Sequence, residues 1–115
     1  MSIEVNQQEC CDHYGVQYQA VKQTQLVTIS KGIYEGVSPV EGVRYPSPEH
    51  MSGWWLTTDE YNGNINSLVT VHFQHIIEKR PELALYMALP IGYRFNLGGE
   101  TEHVWCDQEV ANESI

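Results

Sequence analysis

An α+β fold is predicted by three features of this sequence. Several short runs are β-branched or alternate apolar with polar, one longer stretch repeats its apolar residues at helical spacing, and Gly- and Pro-rich segments separate them. Strands, then helix, then hairpin is the order expected of a small, mostly antiparallel sheet with one or two helices packed on one face.

Gln25-Leu26-Val27-Thr28-Ile29-Ser30 is short and β-branched and reads as the first strand, with Lys31-Gly32 turning the chain and Ile33-Tyr34-Glu35 continuing extended. Gly36, Pro39, Gly42, Pro46 and Pro48 then break the chain into turns. Between them Val43-Arg44-Tyr45 fits a short strand at a sheet edge, where neighbouring proline is tolerated. Ser52-Gly53-Trp54-Trp55-Leu56-Thr57-Thr58 is a third strand. Alternation sends Trp54 and Leu56 to one face and Trp55 and Thr57 to the other, without saying which tryptophan is the buried one. Residues 59–64 form a polar turn.

Within 67–80, Val69, Phe73, Ile76, Ile77 and Arg80 recur at helical spacing, while Leu68 to Phe73 also alternates as a strand would. Length favours a helix, capped by Asn66 or Ser67 and stopped by Pro81. Pro81 suits the first position of a second short helix carrying Leu83, Leu85, Tyr86 and Met87. Leu89-Pro90-Ile91-Gly92 is a connection. Tyr93, Phe95 and Leu97 share a face of the next strand, Gly98-Gly99 turns, and Thr101 to Cys106 returns beside it.

The 115 residues fit one domain spanning 1–115. With 42% of them hydrophobic, the chain fills a core without disulfide or metal staples. Residues 1–23 and 108–115 are polar enough to be loosely ordered ends. Six basic against fifteen acidic residues leave a net charge of −9. That balance argues against nucleic acid and anionic membranes as partners and favours a basic protein. The start has neither a basic segment nor an apolar run, no stretch approaches a membrane span, and three cysteines are an odd number, so the expectation is a cytoplasmic protein with free thiols.

Catalytic patterns are thin. His72 and His75 sit three apart on the expected helix, and His103 and Cys106 three apart on a strand, while Cys10, Cys11 and His13 cluster near the start. Zinc needs three or four such ligands brought together, and no Cys-x-x-Cys pair is present, so neither metal nor cofactor is expected. There is no Gly-x-Ser-x-Gly elbow, and Gly98-Gly99 lacks the lysine and the following helix of a phosphate loop. Asp59 and Glu60 read as solvated turn carboxylates.

Leu26-Val27-Thr28-Ile29-Ser30-Lys31, then Arg44-Tyr45, Ser52-Gly53-Trp54, Asp59-Glu60-Tyr61 and Leu89-Pro90-Ile91-Gly92-Tyr93-Arg94-Phe95 follow one another in an order that resembles the bacterial immunity protein thirty-three family. The resemblance covers about residues 26–97. It implies a cytoplasmic antidote, without catalytic residues, that binds and neutralises a cognate toxin protein. The expected contact surface is Asp59, Glu60, Tyr61 and Trp55, supported by Glu41 and Glu49 on the Pro/Gly-rich loop. Two other readings compete: a housekeeping adaptor or regulator of the same fold, and a small metal-dependent hydrolase using His72, His75 and either His103 or Cys106.

Overall fold

A computed structural model describes residues 3–99 and 102–112. Helix α1 (Ile3–Tyr14) precedes strands β1 (Leu26–Ile29), β2 (Val40–Arg44), β3 (Met51–Thr58) and β4 (Val69–His72). Helices α2 (Phe73–Lys79) and α3 (Pro81–Ala84), strands β5 (Tyr93–Leu97) and β6 (His103–Cys106), and a last turn of helix, α4 (Gln108–Ala111), complete the chain. The strands form one sheet in the order β4-β1-β3-β2-β5-β6. Among the described residues only the β1–β3 pair is parallel; the other four pairs are antiparallel. The fold is therefore α+β, as the pattern of runs predicts.

Cross-strand register sorts the side chains into two faces. One row, Val69–Ile29–Leu56–Gly42–Phe95–Val104, crosses all six strands on the covered face. Against it pack Cys10 and Cys11 of α1, Phe73 and Ile76 of α2, and Leu83, Ala84, Met87 and Leu89 of α3 and the turn after it. Three helices, rather than one or two, thus cover this face. Trp54 is fully buried there and donates its indole N–H to the Met87 carbonyl at 2.8 Å. Trp55 points to the opposite face and is half-buried.

Ser52-Gly53-Trp54 marks an irregularity in the parallel pair. Leu26 pairs with Met51 but Thr28 pairs with Trp55, so β3 carries two extra residues over that step. Gly53 has φ +87°, and a Cβ there would meet the Tyr45 carbonyl oxygen at 2.2 Å, so only glycine fits.

Several elements differ from the sequence reading. β2 is not an edge strand but lies between β3 and β5. Pro39 precedes it and Pro46 follows it, so no ladder donor is missing within it. The stretch expected as one helix over 67–80 is divided: Ile65–Ser67 is a 3-10 turn capped by Asn64, Val69–His72 is the edge strand β4, and helix starts only at Phe73. Pairing with β1 through Leu26–Ile29 outweighs the helical spacing there.

Polar residues near both ends of the described chain make specific contacts. Gln7 is buried and donates to the Ala84 carbonyl at 3.0 Å, while the Tyr18 hydroxyl donates to Gln7 Oε1 at 3.0 Å. At the other end Asp107 caps α4 by accepting from the Glu109 and Val110 backbone N–H groups, and Val110 is buried. Residues 113–115 lie outside the described residues. Among those described, no helix is long and apolar enough to cross a membrane.

Arg44 ties these parts together. It is 3% exposed and enters no ion pair among the described residues. Its guanidinium donates to the carbonyls of Gln19 (2.7 Å), Leu89 (2.8 Å) and Ser52 (3.0 Å) and sits 5.8 Å from the Trp54 ring centre. Burial pulls its pKa down to about 10. One side chain thereby joins the α1–β1 connection, β3 and the segment before β5.

Candidate partner-binding surface

The face opposite the core is read off the same registers. Thr70, Thr28, Trp55, Val43, Arg94 and Trp105 form a row across all six strands, and Thr57, Glu41, Asn96 and His103 form the next. Among the described residues no helix of the main core lies on this face; α4 packs beside β2. Trp55 meets Tyr45 edge to face, with ring centres 5.8 Å apart, which fixes the ring while leaving part of it open.

Asp59 and Glu60 follow β3 directly, in a turn built by the Ser30-Lys31 end of β1. Ser30 Oγ accepts from the Thr58 backbone N–H at 3.1 Å. Thr58 Oγ1 donates to the Lys31 carbonyl at 2.7 Å and accepts from the Glu60 N–H at 3.2 Å. The Tyr61 N–H closes the turn on the Thr58 carbonyl at 3.0 Å. Both carboxylates are exposed, and neither enters an ion pair among the described residues. Tyr61 is half-buried beside them. This turn presents fixed, uncompensated negative charge.

Glu41 is brought near. It shares a shallow polar concavity with Asp59, Thr57 and Asn96. Its charge is already engaged, however: Arg94 donates to Glu41 and also to Asp107 Oδ2, at 3.1 Å. Burial opposes the charge on Arg94, but the hydrogen bonds to Asp107 and Glu41 outweigh it and hold its pKa above the ordinary value. The hydrogen bond from Arg94 holds the Asp107 carboxyl below the usual range. Arg94 also lies 5.5 Å from the Trp105 ring centre, and His103 stacks on Trp105 at 4.4 Å.

Glu49 is not brought together with the others. It lies before β3, at the opposite end from Asp59, exposed and 3.6 Å from Lys22. An eight-residue strand at about 3.3 Å per residue separates the two ends by roughly 26 Å. A standard interface buries about 800 Å² per partner, roughly 30 Å across, a span comparable to that separation.

The hydrolase set is dispersed. His72 and His75 lie together, ring centres 6.0 Å apart, where β4 meets α2. His103 and Cys106 lie on β6, the other edge of the sheet. Five strand spacings of about 4.8 Å put them roughly 24 Å away. Among the described residues no three His, Cys, Asp or Glu side chains are placed to hold a metal. Cys11 is fully buried and donates to the Ala88 carbonyl at 3.5 Å. Burial pushes the Cys10 thiol up to about 12, which opposes the thiolate form that metals bind.

Arg94, Tyr45 and Trp105 were not expected on this face from the sequence. Alternation along Tyr93–Leu97 does place Arg94 opposite Phe95, but pairing it with Glu41 requires β2 to be an interior strand.

Residues 6–107 match the Imm33-like domain. The chain belongs to the Imm33-like family. The match takes in α1 and β6, beyond the 26–97 span on which the sequence resemblance rests. No curated protein and no solved structure matches the chain. Within the Imm33-like fold described here, Ser30-Lys31 anchors the acidic turn, Arg44 joins three segments and Gly53 shapes β3. These positions account physically for the short motifs that carry the resemblance.

Proposed function

We propose that the protein is an immunity protein: it binds a cognate toxin domain in the cytoplasm and neutralises it by occlusion, with no chemistry of its own. The observation that carries this reading is membership of the Imm33-like family over residues 6–107. The net charge of −9 supports a basic partner, because complementary charge speeds encounter and suppresses wrong partners.

The proposed contact surface centres on Asp59, Glu60 and Tyr61, with Trp55 as its aromatic anchor and Glu41 at its border. Half-buried aromatics held by neighbours make effective anchors, since little freedom is lost on binding. Glu49, at the far end of β3, contributes at the rim. Arg94 positions Glu41 and so shapes the border without meeting the toxin itself.

The test is co-expression of the tagged chain with the toxin domain encoded beside its gene. The expected result is co-purification as a stoichiometric complex. Free toxin with no complex at micromolar concentrations of both proteins overturns the reading.

A further inference from the structure

Helix α1, the turn after α3 and the residue before β6 line an open concavity of about 280 Å³ on the helical side of the sheet. Small-molecule sites run from roughly 300 to 1,000 Å³, so this one has room for a single long side chain and not for a nucleotide. Tyr14 and Tyr86 supply aromatic walls, and Glu9 and Glu102 supply carboxylates. Neither lysine nor arginine occurs among its described lining residues. His13 lines it too, held edge-on to Tyr14 with ring centres 4.8 Å apart.

The walls are fixed in place. Tyr14 donates its hydroxyl to Glu102 Oε2 at 3.4 Å, and Tyr86 lines the same concavity. The Tyr86 ring is held from behind by Phe95, 5.6 Å away between centres. The Tyr14 hydroxyl thus engages the Glu102 carboxylate, and Glu9 on α1 provides a second anion in the same concavity.

We propose that this pocket receives an arginine side chain of a protein partner. A planar guanidinium offers five donors, enough for two carboxylates at once, and it stacks on tyrosine faces; a lysine ammonium does neither as well. Free arginine is a poorer occupant. Its α-carboxylate meets Glu9 and Glu102 with no lysine or arginine nearby to hold it. An arginine within a chain carries no such charge. The pocket lies on the other side of the sheet from Trp55 and Glu41, so this assignment stands or falls separately from the immunity reading.

The experiment is an amide-resolved NMR titration of the full chain with Nα-acetyl-arginine amide. The expected result is saturable shifts centred on Tyr14, Tyr86 and Glu102, with Kd on the order of 1–10 mM for so small a ligand. Glu102→Gln should weaken binding by about fivefold, the scale of one partly exposed charge pair. Glu9→Gln, which leaves the Tyr14–Glu102 contact intact, should also weaken it. Nα-acetyl-citrulline amide, neutral but alike in shape, should give no saturable shift. The lysine analogue and free arginine should both bind more weakly than the blocked arginine. The proposal is overturned by the absence of saturable shifts at these residues, by an equal response to citrulline, or by full-strength binding in both glutamine variants. Lysine binding as tightly overturns the guanidinium assignment, and free arginine binding as tightly overturns the protein side chain as its source.

Discussion

The Phe95 ring lies against the bare backbone of Gly42: a Cβ at residue 42 would come within 2.4 Å of two of its carbons. The ring cannot move aside, because Trp54 and Tyr86 hold it at centre distances of 5.2 and 5.6 Å. Gly42→Ala should therefore destabilise the fold by about 1–3 kcal/mol, the usual cost of overpacking a core. The urea midpoint checks it. Gly42→Ala with Phe95→Leu should lose less than the two single changes summed, because the smaller side chain relieves the clash. Simple additivity would show that the contact is not the cause.

Arg44 carries a charge that carbonyl dipoles and the Trp54 ring compensate. Arg44→Met removes the charge but takes their donor from the buried carbonyls of Ser52 and Leu89 and the part-buried carbonyl of Gln19. We predict a loss of about 3–5 kcal/mol, as for breaking other buried charged networks. Arg44→Lys should rescue little, since one ammonium cannot span acceptors on three segments. Equilibrium unfolding of both variants is the measurement, and a methionine variant as stable as wild type refutes the role given to Arg44.

The Cys10 thiol predicts an alkaline weakness. Its pKa rises from 9.0 to about 12 on folding, chiefly through burial. Between those values the unfolded chain gives up the proton and the folded chain keeps it, so rising pH favours unfolding. Stability should hold up to about pH 9 and decline above it. Cys10→Ala should flatten the early part of that decline, before the tyrosines titrate. Urea midpoints from pH 8 to 10.5 test this, and an unchanged slope in the variant rules Cys10 out as its source.

Charge reversal should separate the acidic residues by role. Asp59→Lys with Glu60→Lys alters exposed, unpaired carboxylates, so it should slow toxin association several-fold at low salt and leave the unfolding midpoint unchanged. Glu41→Lys faces Arg94 and should also cost stability, because it breaks an existing ion pair and adds a like charge. Stopped-flow association at two salt concentrations, beside urea unfolding, distinguishes the two. Equal rates for wild type and the Asp59/Glu60 variant place the contact elsewhere.

Much of the sheet was legible because its strands carry strong period-two patterns. Trp54 and Leu56 do part from Trp55 and Thr57, and Tyr93, Phe95 and Leu97 do share the covered face. The structure adds that Trp54 is the buried tryptophan. Helix α1 was not legible. Its inward residues, Gln7, Cys10, Cys11 and Tyr14, have helical spacing, but a glutamine and two cysteines carry little apolar signal. Val69–His72 misled for the opposite reason: Val69, Phe73 and Ile76 fit a helical face, and only pairing with β1 makes the first part a strand. The interior position of β2 depends on contacts distant in sequence. So does the Glu41–Arg94–Asp107 cluster, whose members come from β2, β5 and the residue before α4. The acidic turn was readable as a turn, but its anchoring by Ser30 and Lys31 was not.

The central claim is neutralisation, and protection of living cells tests it most directly. Cells induced to make the neighbouring toxin domain should grow when they also express this chain, and should die with an unrelated acidic protein of similar charge. The Asp59→Lys/Glu60→Lys variant should protect less than wild type at equal expression. Death of the toxin-producing cells despite abundant wild-type chain would contradict the account.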